Sequence, residues 1–329
     1  MEDFQKLFDS FSTLRVGVIG DMMLDTYMWG KVDRISPEAP VPVVSLEKKE
    51  YRIGGAGNVA LNCKALGSQV FILSIVGDDT EGLMLEELLI DNMIDTSYLL
   101  KSSDRITTSK TRIISRNQQM MRLDAENTND LDEKNEELLL QKVRSFIQTN
   151  DPHLIIFEDY NKGILTEKII FEVISLCKQA GILTAVDPKR KNFFTYHHTD
   201  IFKPNLKEVK DGLNLLVDDI NVPILNSIHT ELKNILEHEV SFITLSDKGV
   251  FYQQNGKFSL IPSHLRNIAD VSGAGDTVIA VAAMVYAATR NAHLMAEVAN
   301  IAGGLACESV GAVAVDKEKL KHECELLLS

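Results

Sequence analysis

Short runs of continuously apolar residues punctuate the chain at 16–19, 70–76, 154–157, 182–186, 201–202 and 242–245. Runs of this length that do not alternate with polar residues are read as strands buried on both faces. Stretches of helical period lie between many of them, for example 133–147 and 166–180. Strand and helix in alternation predict a mainly parallel sheet covered by helices, an α/β class of fold. Two segments break the rhythm. Residues 28–53 carry three prolines and the run Val-Pro-Val-Val-Ser-Leu, and 106–123 is rich in Thr, Ile and Arg. Both predict strands outside the main sheet, and the alternation of Thr108, Lys110 and Arg112 fits either a ligand-facing polar side or a solvated edge. The acidic stretch 124–137 predicts a loop leading into a helix.

Composition narrows the classes. The 329 residues are 45% hydrophobic and 25% charged, ordinary for a globular chain, and the net charge of −13 disfavours a broad electrostatic grip on nucleic acid or on an anionic membrane. An anionic ligand must therefore be held locally. Cys63, Cys177, Cys307 and Cys324 lie far apart, which predicts neither a zinc ribbon nor a disulfide framework and points to a reducing compartment. The longest purely apolar stretch, 278–288, is too short for a bilayer span, and the first residues are acidic, so the expectation is a cytoplasmic protein.

The most informative string is Asp270-Val271-Ser272-Gly273-Ala274-Gly275-Asp276-Thr277, which runs into an apolar helical stretch. Small residues at a helix start let backbone N–H groups close on an anion, and the helix dipole favours negative charge there. A carboxylate in that first turn, Asp276, is placed to accept the proton of an attacking hydroxyl during phosphoryl transfer.

DVSGAGDT closely resembles the C-terminal signature of the PfkB/ribokinase family of sugar kinases. The runs GDMMLD at 20–25, GGAGN at 54–58, NLKE at 205–208 and AN at 299–300 match that family's order over essentially the whole chain. The resemblance implies a ribokinase-like three-layer α/β/α domain over 1–329, with a mainly parallel central sheet and a small β-sheet lid within about 28–53 and 106–123. It implies Asp276 as catalytic base and Gly273, Ala274 and Gly275 as the anion hole, in agreement with the reading from the residues. It further implies that Asn205 and Glu208 organise Mg²⁺, its waters and the ATP phosphates, Glu208 through water. Ser246, Asp247, Gly249 and Asn300 would belong to the nucleotide site, and Asp21, Asp25, Gly54, Gly55 and Asn58 to the sugar site.

Within the family, DRISPEAPVPVV at 33–44, SRNQQMMRLD at 115–124, EDYNKG at 158–163 and DPK at 187–189 resemble the branch acting on D-glycero-β-D-manno-heptose 7-phosphate. That resemblance implies transfer from ATP to the anomeric hydroxyl, for ADP-heptose and lipopolysaccharide core synthesis. A phosphorylated substrate needs fixed cations. Arg34, Lys110, Arg112, Arg116, Arg122, Lys162 and Lys189 lie in or beside these strings, with Lys162 and Lys189 the first choices. Some relatives fuse the kinase to a nucleotidyltransferase carrying an HxGH string; none of the eight histidines sits in one, so kinase activity alone is expected. A homodimer through the lid is expected by analogy. Ser272 and Ile301 depart from the usual family residues, and Ala312, in the segment where relatives bind a monovalent cation, leaves K⁺ dependence open.

Three rival readings remain. Gly55-Ala56-Gly57-Asn58-Val59-Ala60 fits the GxGxxA dinucleotide fingerprint, with Asp78 about twenty residues on, but the charged stretch 47–52 stands where the fingerprint needs a buried strand. An inactive sugar-phosphate-binding regulator is the second, and a kinase of another sugar or sugar phosphate the third.

Overall fold

The computed structural model describes residues 3–116, 118–216, 220–264 and 266–328. Asn117, within the 115–124 string, lies outside them. The strands are β1 (Arg15–Gly20), β2 (Met22–Ile35), β3 (Pro42–Gly55), β4 (Gln69–Gly77), β5 (Leu99–Ser102), β6 (Thr108–Ser115), β7 (Gln118–Ala125), β8 (Leu154–Glu158), β9 (Leu183–Asp187), β10 (Ile201–Phe202), β11 (Val240–Thr244), β12 (Val250–Gln254) and β13 (Lys257–Ile261). The helices are α1 (Phe4–Ser10), α2 (Ala56–Ala65), α3 (Thr80–Asp91), α4 (Glu133–Asn150), α5 (Glu167–Ala180), α6 (Leu206–Leu213), α7 (Val222–Leu236), α8 (Ala274–Thr289), α9 (Ala292–Ala306) and α10 (Lys317–Leu327).

The main sheet has the order β13-β12-β11-β10-β9-β8-β1-β4-β5. It is parallel except at one edge, where β11, β12 and β13 pair antiparallel. Period-2 geometry sends the continuous apolar runs to two separate cores. In β8, Leu154 and Ile156 pack with α1, α2, α8 and α9 on one face, whereas Ile155 and Phe157 pack with α4, α5 and α7 on the other. This is the three-layer arrangement expected, and all six predicted strands are present. The sequence reading missed β5 and the β12–β13 hairpin, whose sides are partly polar because edge strands meet solvent.

α5 shows how local signals set the helices. Thr166 caps its N-terminus by accepting from Ile169 N, and Ile169, Ile170, Val173, Ile174 and Cys177 form one buried stripe. Gly181, left-handed at φ 69°, ends it. The acidic stretch likewise resolves into a loop ending at Asp132, which caps α4.

The four-strand lid has the order β3-β2-β6-β7. Its strands start earlier than predicted, because β2 leaves the main sheet at Met22 and β3 returns to it at Gly55. The GxGxxA segment therefore follows an antiparallel lid strand and starts α2. A dinucleotide fold needs a central parallel strand at that point, so this geometry removes the rival reading.

Candidate active site

α8 begins at the mouth between the sheet and the lid. Its N-cap Gly273 has φ 76°, and a Cβ there would meet Asn58 Nδ2 at 2.7 Å and Ala312 Cβ at 3.1 Å, so the chain can turn here only with glycine. No side chain caps α8 among the described residues, and although the Ala274 N–H donates to Val271 O at 3.3 Å, the start of this sixteen-residue helix could hold an anion. Asp276 lies in that turn and is 4% exposed. Its Oδ2 accepts from Asn58 Nδ2 and its Oδ1 from the Tyr160 hydroxyl, both at 2.7 Å. Burial pushes its pKa up to about 6; Asn58 and Tyr160 pull it down, Asp187 raises it and Lys189 lowers it. A carboxylate poised there is ionised at neutral pH yet close to the best range for accepting a proton.

The ends of β8 and β9 extend the cluster, with Glu158 opposite Asp187 in register. Glu158 is fully buried, and neither carboxylate oxygen has a hydrogen-bond partner among the described residues. Burial, then Asp187 and Asp276, holds its pKa well above the usual carboxylate range. Asp187 pairs with the buried Lys203 at 2.8 Å. Lys189 bridges Asp187 at 3.5 Å and Glu208 at 2.7 Å; burial opposes its charge, but Asp187 and Glu208 outweigh burial and raise its pKa.

Asn205 and Glu208 form a reciprocal capping box on α6. Asn205 Oδ1 accepts from Glu208 N at 2.9 Å, and Glu208 Oε2 accepts from Asn205 N at 2.7 Å. With Oε1 taken by Lys189, both Glu208 oxygens are engaged. Among the described residues no group of three or more His, Cys, Asp or Glu is arranged to hold a metal ion unaided.

The residues read as a sugar site meet the same cluster from the lid side. Asp21 is 1% exposed and accepts from the backbone N–H of Tyr160, Lys162 and Ile164 at 2.8, 3.0 and 3.1 Å, so its carboxylate pins the loop after β8. Asp25 pairs with Arg112 at 2.5 Å, and a Cβ on Gly54 would come within 2.5 Å of Asp25 Oδ2. Gly55 caps α2 at φ 59°. Lys162 and Lys110 both reach Glu126, at 2.7 and 3.9 Å, and Lys110 and Arg122 meet Asp124 at 3.4 and 2.8 Å.

Arg34 does not join them. It is exposed nine residues beyond Asp25 on the extended strand β2, about 30 Å away at strand spacing. Lys189 sits with Glu208 and Asp187, which separates it from the Lys110–Lys162 pair with which it was grouped. Arg105 escaped the sequence reading. It donates to the carbonyls of Asn129 and Lys162 and lines a cavity of about 450 Å³ with Glu126 and Asn127. Tyr160 and Glu158 carry no sequence signal of their own beyond the run at 158–163. An aromatic hydroxyl on a loop has no sequence signature for the partner it meets.

Ser246, Asp247, Gly249 and Asn300 gather around one turn. Asn300 Nδ2 donates to Pro262 O at 2.9 Å, the Ser263 hydroxyl donates to Asp247 O, and Gly249 lies against Ile261 and Pro262. Ser246 and Asp247 are exposed there. Asp270 is held by its own loop and by the segment after α9, accepting from the Ser272 hydroxyl at 2.9 Å and from Gly311 N at 2.8 Å.

A helix-capped anion cradle, a buried carboxylate beside it and a β lid opposite define a phosphotransferase acting on a hydroxyl group. Residues 13–319 match the pfkB family carbohydrate kinases, and the chain belongs to that family. It is 37% identical over 318 residues to the "Bifunctional protein HldE" of Desulfatibacillum aliphaticivorans, covering 96% of this chain and 64% of that protein. It is 36% identical over 309 residues to the protein of the same name from Helicobacter hepaticus, covering 94% and 63%. The chain thus spans just under two thirds of the length of these relatives. Among solved structures, phosphofructokinase-2 from Escherichia coli with substrates and products superposes with a TM-score of 0.78 at 16% identity, covering 95% of this chain and all of that one. Arabidopsis thaliana ribokinase with ribose and ATP gives 0.71 at 16% identity, covering 94% and 98%. Both share the ribokinase-like fold.

Proposed function

We propose that the chain transfers the γ-phosphoryl group of ATP to the anomeric hydroxyl of D-glycero-β-D-manno-heptose 7-phosphate, giving the 1,7-bisphosphate. The observation that carries the reading is Asp276, buried at the N-terminus of α8 and faced by a lid that bears its own cations. Asp276 accepts the proton of the sugar hydroxyl as it attacks. The first-turn N–H groups of Gly273, Ala274 and Gly275 stabilise charge on the transferring group. Asn58 fixes the base, and Asp21 acts by holding the 160–164 loop.

The residues fit ATP and Mg²⁺. The α8 N-terminus suits phosphate oxygens, and the turn formed by Ser246, Asp247, Gly249 and Asn300 would take the nucleoside. Mg²⁺ would offset phosphate charge. Because Glu208 already holds Asn205 N and Lys189, it would reach that ion through water, with phosphate oxygens completing the shell. Lys110, Lys162 and Arg105, around Glu126, supply fixed cations for a sugar phosphate. The strings at 33–44, 115–124 and 158–163 favour the heptose over other phosphorylated sugars.

On this reading the 329 residues act as one kinase unit in the cytoplasm, where ATP is supplied; among the described residues no helix is long and apolar enough to cross a membrane. A homodimer would cover the exposed apolar lid residues Ile35, Leu46, Met121 and Leu123. The test is ADP release from Mg·ATP with heptose 7-phosphate, ribose, fructose 6-phosphate and fructose 1-phosphate. Turnover greatest on the heptose supports the proposal. Turnover on another sugar overturns the substrate, and ATP binding without transfer to any sugar favours a regulator.

A further inference from the structure

Asp276 is held by two donors of different character. Asn58 belongs to α2, is itself 1% exposed, and receives support from Asn62, whose Nδ2 donates to the Asn58 carbonyl at 2.8 Å. Tyr160 stands on the loop after β8, between the buried Asp159 and the positive-φ Asn161. Its backbone and ring are nevertheless fixed from two directions. Its backbone N–H is held by Asp21 at 2.8 Å, and the Lys189 ammonium lies 5.3 Å from its ring centroid. Lys189 in turn is held by Glu208, so a continuous chain of contacts runs from the Asn205–Glu208 cap through Lys189 and Tyr160 to Asp276.

Resting on Asp276 as the base of the reaction proposed above, we propose that Tyr160 is a positioning residue that aims this carboxylate and favours its ionised form through the hydrogen bond to Oδ1. Each carboxylate oxygen has more than one acceptor direction, so both donors can stay while the sugar hydroxyl approaches. The groups facing Asp276 from the elements around it define the balance. α2 contributes the neutral Asn58, and β8 contributes Glu158, whose pKa is raised well above the usual carboxylate range by burial. β9 contributes Asp187, which is neutralised in part by Lys203 and Lys189. Burial and the nearby Asp276 and Glu158 carboxyls raise the Tyr160 phenol well above its ordinary pKa, so it remains a donor wherever the enzyme works. Among the neighbours that favour the charged form, Tyr160 can lose its contribution with the removal of one oxygen atom and no change of packing volume.

The experiment is Tyr160→Phe in the full chain, read in two ways. The first is the ¹³C carboxyl shift of Asp276 titrated from pH 4 to 9, identified by its disappearance in Asp276→Asn. The second is the pH profile of kcat/KM for the best sugar of the panel. Loss of one donor raises the carboxyl pKa by about one unit, which lowers kcat/KM roughly fivefold at pH 6 and leaves the plateau above pH 8 within about twofold. A mere packing role would lower the whole profile without moving its acid limb. An unchanged carboxyl titration overturns the inference even where kcat/KM falls. If no sugar is phosphorylated by the unaltered protein, the functional reading fails on its own, and the carboxyl titration still decides the role of Tyr160.

Discussion

Asn58 in α2 and Asp276 in α8 stand 218 positions apart in the chain, yet Asn58 Nδ2 donates to Asp276 Oδ2 at 2.7 Å. A second bond runs alongside, from the Thr277 hydroxyl to Asn62 Oδ1 at 3.1 Å. The same Asn62 oxygen accepts from Val315 N at 3.0 Å. Two consecutive residues of α8 are thus fastened to one face of α2. On this side Asp276 is held by helix packing, which keeps a side chain within a narrow range of positions.

Asp276→Asn keeps the shape of the side chain and removes its basicity. Sugar phosphorylation should fall by about 10²–10⁴-fold with ATP affinity little changed. Steady-state ADP release together with nucleotide titration checks both, and full activity in the variant would exclude Asp276 as the base.

Gly273→Ala should damage both stability and activity. The backbone there has φ 76°, and the added Cβ would come within 2.7 Å of the Asn58 amide that holds Asp276. The left-handed conformation alone costs about 1–2 kcal/mol for alanine. Urea unfolding should register that loss, and turnover should drop further than stability explains because Asn58 must move.

Asn205→Ala removes the side-chain cap of α6, the bond from Glu208 N to Asn205 Oδ1, and so loosens the helix start that carries Glu208. A cost of about 1 kcal/mol to the fold is expected. If Glu208 orders Mg²⁺ through water, the KM for Mg·ATP should rise while the KM for the sugar stays; equal changes in both would argue for a purely structural role.

Lys162→Ala tests the phosphate end of the sugar. Loss of one charge-assisted bond is worth about 1.5–3 kcal/mol, so the KM for a phosphorylated sugar should rise about 10- to 100-fold. An unphosphorylated analogue should be affected far less. Equal loss for both sugars would move the phosphate away from Lys162 and its Glu126 partner.

His238 sets an acid limit on stability. Its ring lies fully buried, with Nε2 2.6 Å from the Ser241 hydroxyl, to which His229 Nδ1 also comes within 2.8 Å. Burial, then His229 and Lys233, pushes its pKa down to about 3. The folded state therefore binds fewer protons than the unfolded chain below the ordinary histidine range. Stability from this group is complete above about pH 6.5 and is lost progressively as the pH falls toward 3. Thermal melting at pH 8 and pH 5 should show a lower Tm in acid, and His238→Gln should reduce the difference; an unchanged difference would place the acid sensitivity elsewhere.

The central strands were legible because burial on both faces demands unbroken apolar runs such as that of β8. The start of α8 was legible because glycine and small residues run directly into an apolar helical stretch. The lid was legible only in outline. Its strands β2 and β3 grow out of the main sheet, and no local signal marks where a chain leaves one sheet for another. The cations were legible as a set but not as individuals. Whether a lysine meets Glu126, as Lys162 does, or Glu208, as Lys189 does, depends on where strand ends converge.

The sequence by itself determined the layered α/β class, the helix that carries Asp276 and the residue types that phosphoryl transfer requires, because each follows from periodicity or from short-range backbone geometry. Only the tertiary structure decided that Asn58 and Tyr160 hold Asp276, that Asp21 serves a loop, and that Arg34 stands apart. Those are contacts between residues far apart in the chain. The direction and burial of a side chain at such a contact are set by the packing of whole elements, which no local stretch of sequence encodes.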